Sequence, residues 1–193
     1  MPSRPPSRLA LRFLLRAGLF FIGLLIAAAG WAGFLQYRGN FHPVRAGEMY
    51  RSAQPSPEAL TNWAGVNGIR SVVNLRGASD SDWYRDEIAT SKRLGLAHAD
   101  FRMSAGEHLT PARANELLAL LDSMPGPVLI HCKSGADRTG LASALWLARH
   151  GGGEEAAESQ ISFRFGHVSL PLTAAWPMDQ SWEALEPEMG FAS

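Results

Sequence analysis

The stretch His131-Cys132-Lys133-Ser134-Gly135-Ala136-Asp137-Arg138-Thr139-Gly140 constrains the fold of this chain more than any other. On one side lies Pro127-Val128-Leu129-Ile130, a short run that reads as a buried parallel strand. On the other, residues 141–150 have helical composition and stop at Gly151-Gly152-Gly153. Between strand and helix, residues 132–138 have to turn sharply, and Gly135 supplies the freedom to do so. The unpaired N–H groups of such a turn converge with the positive end of the helix dipole. That predicts a cradle for one tetrahedral anion.

The same field acts on the thiol within it. A free cysteine has a pKa of about 8.5, which falls to roughly 3.5–7.5 at a helix N-terminus beside cations, so Cys132 is predicted to be a thiolate and a nucleophile. Arg138 follows after five intervening residues and offers a planar fork to two oxygens of the anion, a geometry lysine does not supply.

His131-Cys132, Arg138 and Thr139 in this spacing resemble the signature loop of the cysteine-dependent protein tyrosine and dual-specificity phosphatases, bacterial atypical type. That resemblance implies a metal-free, cofactor-free hydrolysis of phosphomonoesters through a cysteinyl-phosphate intermediate. Cys132 would attack, residues Lys133, Ser134, Gly135, Ala136, Asp137 and Arg138 would hold the phosphate, His131 would orient the loop, and Thr139 would hydrogen-bond the sulfur. A rhodanese-like sulfur carrier also centres a loop on cysteine, but its loop is usually one residue shorter. A buried structural cysteine and an inactive phosphate-recognition module are the other readings. Arg51-Ser52-Ala53-Gln54-Pro55 resembles a turn that lies near the phosphate loop in many of these phosphatases, which makes Arg51 or Gln54 a candidate for a site role.

A leaving alkoxide or phenoxide needs a proton, so the first step calls for a general acid. The resembled family usually places an aspartate on a loop about 30 residues before the cysteine. Here that loop, residues 104–108, holds Glu107 and no aspartate, and Asp100 falls within the preceding strand. Asp137 matches a variant in which the aspartate before the arginine has been proposed as the acid. Asp137 is therefore the first candidate and Glu107 and Asp100 are alternatives; Asp137 could instead pair with a basic neighbour and brace the loop. Lys133 resembles a phosphoinositide phosphatase loop, yet Ala136 stands where those loops carry a second lysine. A phosphoprotein substrate, phosphotyrosine favoured, is expected ahead of a phosphoinositide.

The amino terminus is a separate unit. Residues 1–16 carry Arg4, Arg8, Arg12 and Arg16 without an acid, and residues 17–35 then run 19 residues without a charge. As a helix that run is about 28 Å long, close to the roughly 30 Å core of a bilayer. A single membrane anchor over residues 1–38 is expected, with Trp31 and Tyr37 as interfacial aromatics. A cleaved signal peptide is the alternative, with small residues at Ala27-Ala28-Ala29-Gly30. The arginine bias places the amino terminus in the cytoplasm and the following domain outside it, periplasmic in a bacterium, or secreted if cleaved. The single cysteine leaves no intramolecular disulfide partner. Beyond residue 38, thirteen basic groups face eighteen acids, a net −5 that argues against a nucleic-acid partner.

Residues 39–47 read as a linker and 48–193 as the phosphatase-type domain. Within it Met49-Tyr50-Arg51 begins a strand. Ser56-Pro57-Glu58 starts a helix that stops at Gly68, and residues 69–75 form a central strand. A helix follows over 80–94, with Trp83, Tyr84 and Ile88 at its core or rim. Its Glu87 is either a partner for Arg76 or part of a solvated face. A strand over 96–103 and a helix from Thr110-Pro111 to residue 124 come next. Helices over 154–163 and 178–185 close the chain, with Arg164 and His167 read as packing or capping residues. This alternation predicts an α/β fold: central parallel strands, helices on both faces, and one N-terminal transmembrane or signal helix in front. The loops at 76–82, 104–108 and 131–140 should meet beyond the carboxyl ends of the strands.

Overall fold

A computed structural model describes residues 8–191, so Arg4 of the basic amino terminus lies outside the described residues. Helix α1 (Arg8–Tyr37) leads into an antiparallel hairpin of β1 (His42–Arg45) and β2 (Met49–Ser52). There follow α2 (Pro57–Asn67), β3 (Ser71–Asn74), α3 (Asp82–Leu94), β4 (Ala97–Asp100), α4 (Pro111–Ser123), β5 (Val128–His131) and α5 (Asp137–Arg149). Short α6 (Glu154–Glu158) and α7 (Trp176–Leu185) complete the fold. The five strands lie in the order β1-β2-β5-β3-β4, and every pairing but the first is parallel. This is the expected α/β architecture.

Both sheet faces are covered. On one, Leu60 of α2 packs with Tyr50, Val72 and Leu129, and Trp63 and Leu94 close the cluster. On the other, Leu117, Leu118 and Leu121 of α4, Leu141 and Leu145 of α5, and Met178 and Trp182 of α7 meet Val73 and Ile130. Each fully buried leucine contributes roughly 1.5–3 kcal/mol. Helix α5 is buried from Thr139 to Ala148, a stretch that is apolar but for Thr139 and Ser143, whose hydroxyl donates to the Thr139 carbonyl.

The local signals act as expected at the helix ends. Ser56 Oγ accepts the Ala59 N–H at 3.2 Å, Thr110 Oγ1 accepts that of Arg113, and Gly68 and Gly95 close α2 and α3 in the left-handed region. Boundaries shift elsewhere. The strands expected over 69–75 and 96–103 are four residues each, and the helix expected over 154–163 ends at Glu158. Helix α5 starts at Asp137 rather than 141, so the second half of the signature is already helical.

Residues 39–47, expected as a linker, instead carry β1. Pro43 disguised it, but an edge strand tolerates proline because its outer N–H needs no partner. The end of α1 is likewise docked. Leu35 is buried, Trp31 Nε1 donates to the Phe163 carbonyl at 3.1 Å, and Asn40 Nδ2 donates to those of Ser134 and Phe165. The domain thus begins before residue 48, because the last turns of α1 have buried partners within it.

Candidate active site

Ser52, His131 and Asn74 stand level at the carboxyl ends of three neighbouring parallel strands. The signature loop springs from the middle one. Cys132 is buried at its base, a free thiol, and α5 starts five residues later. Gly135 has φ 72°, and a Cβ there would sit 2.6 Å from Ala53 N, so both the turn and the close approach demand glycine.

The loop's carbonyls are held from outside. Gln54 N–H donates to Lys133 O at 3.3 Å, and Gln36 Nε2 and Asn40 Nδ2 both donate to Ser134 O at 3.0 Å. Arg51 Nη2 donates to Gly135 O at 2.8 Å and reaches Ala136 O at 3.4 Å. A planar peptide puts its N–H opposite its C=O, so four carbonyls fixed outward leave successive N–H groups facing the concave side. Ala136 N–H meets a loop side chain, Ser134 Oγ at 3.4 Å.

Arg51, flagged in the sequence together with Gln54, is the chief brace. It is wholly enclosed, donates also to Gln160 O and Oε1, and stacks 3.8 Å from the centre of the Phe165 ring. Burial lowers its pKa to about 9, with Cys132 opposing and Arg164 adding to the shift, so it stays charged at neutral pH.

Arg138 and Thr139 end the loop. Arg138 Nη1 meets the Met103 carbonyl at 3.3 Å, while its Nε and the Thr139 hydroxyl are buried without a partner among the described residues. Arg76 stands close enough to add charge: burial first and then repulsion from Arg138 lower its pKa, with Cys132 and Glu87 opposing. Its guanidinium lies 3.5 Å from the centre of the Trp83 ring. Arg102 donates to Ala78 O, and Met103, just ahead of the 104–108 turn, is the residue whose carbonyl meets Arg138.

Glu87 is the residue the sequence misplaced. It does not pair with Arg76 or face solvent; Gln54 stands between them, accepting from Arg76 at 2.8 Å and donating to Glu87 at 2.5 Å. Glu87 is 2% exposed and lies 2.8 Å from His98 Nε2 and 3.0 Å from His131 Nε2. His131 Nδ1 in turn approaches the Cys132 carbonyl at 3.4 Å, so the histidine links this carboxylate to the loop. The buried positions of α3 are Glu87, Thr90 and Ser91, a polar stripe that hydrophobic periodicity does not register.

Burial pushes the Glu87 carboxyl up, yet the hydrogen bonds from His131, His98 and Gln54 prevail and hold it at about 2. An unfolded glutamate titrates near 4.3, so this stability is present above that value and lost as pH falls toward the folded one. Glu87→Gln is expected to cost on the order of 2–3 kcal/mol at neutral pH, with the gap from wild type closing in acid. Denaturant titrations across that range measure it; a pH-independent gap would show that the ionised carboxylate is not what stabilises.

The acid candidates separate. Asp100, at the end of β4, accepts from Asn74 Nδ2 at 2.7 Å and from the Tyr84 hydroxyl, so its carboxylate is occupied. Glu107 is exposed on the 104–108 turn. Asp137 lies in the first turn of α5, partly exposed, and pairs with His167 rather than with Lys133, which is itself exposed. Among the described residues no group of three or more histidine, cysteine and carboxylate side chains is placed to hold a metal.

Residues 32–158 match the family model described as "Tyrosine phosphatase family". The chain belongs to that family. Over 87 residues, 44% of its length, the chain is 36% identical to the Beta-lactamase hydrolase-like protein of Xylella fastidiosa, of which it spans 20%. Its fold is similar to that of P. aeruginosa TpbA, with TM-score 0.60, 23% identity, and 79% and 91% of the two chains covered. A TpbA complex with pTyr gives TM-score 0.61, 20% identity, and coverage of 80% and 93%. The catalytic core of the PP-IP phosphatase SIW14 from S. cerevisiae, in complex with citrate, gives 0.56, 20%, and 78% and 93%.

Proposed function

We propose that this phosphatase hydrolyses phosphomonoesters through a cysteinyl phosphate on Cys132, with phosphotyrosine in protein as the favoured substrate. The observation that carries the reading is the outward tethering of the loop carbonyls from Lys133 to Ala136 around a buried thiol, beside the unpaired Arg138 Nε and Thr139 hydroxyl. In this mechanism the thiolate attacks phosphorus and the ester P–O bond breaks. Asp137 protonates the departing oxygen. Water then attacks the cysteinyl phosphate, Asp137 takes its proton, and the thiolate leaves with Thr139 donating to sulfur. Arg138 and the inward N–H groups hold the equatorial oxygens throughout. His131, backed by Glu87, keeps Cys132 in line.

The pTyr complex of similar fold supports phosphotyrosine. A second reading, a phosphoinositide or inositol phosphate, is favoured by the extra positive charge of Lys133 and Arg76 at the loop, and by the likeness to SIW14. Rates on phosphotyrosine peptides, phosphoserine peptides and phosphoinositides separate the two. Acid-quenched reactions with a radiolabelled aryl phosphate are expected to leave label on Cys132, and turnover should persist in a chelator. An unlabelled enzyme in active reactions, or loss of activity on chelation, would refute the mechanism.

Helix α1 supplies the tether in this proposal. Its Leu15, Leu19, Phe20, Leu25 and Ile26 are all more than half exposed, and the uncharged run from residue 17 needs a solvent other than water. The cytoplasmic arginines and the outward domain follow the charge bias given above. Cleavage at Ala27-Ala28-Ala29-Gly30 is the alternative, and it would spare the docked Trp31, Leu35 and Gln36. Alkaline extraction of membranes with amino-terminal sequencing decides: a full-length protein in the pellet is expected, and a soluble, shortened one would refute the anchor.

A further inference from the structure

His167 follows the 3-10 turn Phe163–Phe165 and Gly166, whose left-handed φ of 89° turns the chain so that the ring enters the protein. The ring is fully enclosed, and both nitrogens are engaged. Nδ1 lies 2.8 Å from Asp137 Oδ1 and Nε2 lies 2.9 Å from Asp179 Oδ2. An imidazole that donates at both nitrogens is the cation, and each carboxyl group presents it an acceptor. Asp137 sits in the first turn of α5, one residue before Arg138, and Asp179 in the first turn of α7. Two helix N-termini, each suited to negative charge, are thereby bridged by one buried cation.

We infer that His167 is a positioning residue for the acid step: it takes one oxygen of Asp137, fixes the plane of the carboxyl beside the signature loop, and leaves the other oxygen to carry the proton. The inference rests on the reading of Asp137 as the general acid. In the first step the free Asp137 oxygen gives its proton to the leaving oxygen while the S–P bond forms and the P–O bond breaks. The carboxylate that remains lies beside an anionic phosphoryl group. The imidazolium offsets that new charge, and Asp137 later recovers a proton from the attacking water. His167 keeps both of its protons throughout.

The titratable groups facing the ring are Asp137 from α5 and Asp179 from α7. Burial pulls the imidazolium pKa down, but the hydrogen bonds and charges of these two carboxylates raise it above the ordinary 6.5. The clamp is therefore complete below that ordinary value and is lost as pH rises through the folded one.

The test compares phenyl phosphate, whose leaving group needs the proton, with p-nitrophenyl phosphate, whose leaving group needs it far less, using the full chain across neutral to alkaline pH. His167→Leu is expected to lower kcat on phenyl phosphate about 10- to 100-fold more than on p-nitrophenyl phosphate, part of the range general acids supply. KM should hardly move, and the alkaline limb should be displaced from its wild-type position. His167→Asn, whose amide N–H can replace Nδ1–H, should recover most of the loss. Equal losses on both substrates, or no rescue by asparagine, would overturn the inference. Should the leucine variant not fold, Asp179→Asn on α7 carries the test: its alkaline limb should move to lower pH, and an unmoved limb counts against the role. Asp137→Asn is the control. If it shows no excess loss on phenyl phosphate, the reading of Asp137 falls and the inference with it; if it does and His167→Leu does not, only the inference falls.

Discussion

Cys132→Ser is expected to lower turnover of p-nitrophenyl phosphate by on the order of 10⁵-fold or more, the scale on which loss of a covalent nucleophile acts in other enzymes. Serine preserves nearly all of the geometry. Cys132 is 1% exposed at the end of β5, and replacing sulfur with oxygen leaves its neighbours in place. A serine hydroxyl, however, is a far weaker nucleophile than the sulfur it replaces. The N–H groups and Arg138 remain, so inorganic phosphate should bind with little change. Single-turnover kinetics and calorimetric titration with phosphate measure the two halves. Turnover by the serine variant at a tenth of the wild-type rate would end the nucleophilic mechanism. Loss of phosphate binding with the fold intact would mean that sulfur, and not the cradle, holds the anion.

Arg51→Leu should destabilise the domain by about 3–5 kcal/mol, because it removes the side-chain donor from the buried Gly135 and Gln160 carbonyls, while Ala136 O keeps the Gly140 N–H. The stacking on Phe165 is lost as well. The effect on the site follows from the same bonds. One of the four carbonyls, that of Gly135, loses its tether, so its peptide is free to rotate and the inward N–H groups lose their alignment. Phosphate affinity should therefore fall even at temperatures where the variant is folded. Arg51→Lys is not a rescue, since a single ammonium does not span Gln160 on one side and the loop on the other. Denaturant unfolding and phosphate titration on the same samples check this. Wild-type stability in Arg51→Leu, or undiminished phosphate affinity in its folded form, would show that Arg51 does not brace the loop.

The site divides cleanly into what was legible in one dimension and what was not. The strand, turn and helix around Cys132 lie within thirty residues of each other, and their signals are local: β-branched residues, a glycine at positive φ, an arginine at fixed spacing. Arg51 and Gln54 were legible too, through the short turn that contains them. Glu87 was not, because a charged residue on a helix ordinarily faces water, and no periodicity marks a buried polar stripe. Its partner His131 is 44 residues away along the chain, and only the packing of α3 against α2 and β4 brings the two together. Asn40 failed for a similar reason: in a stretch rich in glycine and proline it reads as linker, yet it is 1% exposed and holds the loop at Ser134.

The sequence by itself determined the family-type loop, the α/β alternation, the helix caps and the apolar amino-terminal helix. Each of these rests on interactions between residues near in the chain, whose free energy is expressed in local patterns. Only the tertiary structure decided what braces the loop and what pairs with Asp137. Those partners, Arg51 with Gln160, Glu87 with His131, and His167 between Asp137 and Asp179, come from different elements. Burial makes each such polar contact costly to leave unmade, but which residue meets which is set by how helices cover the sheet.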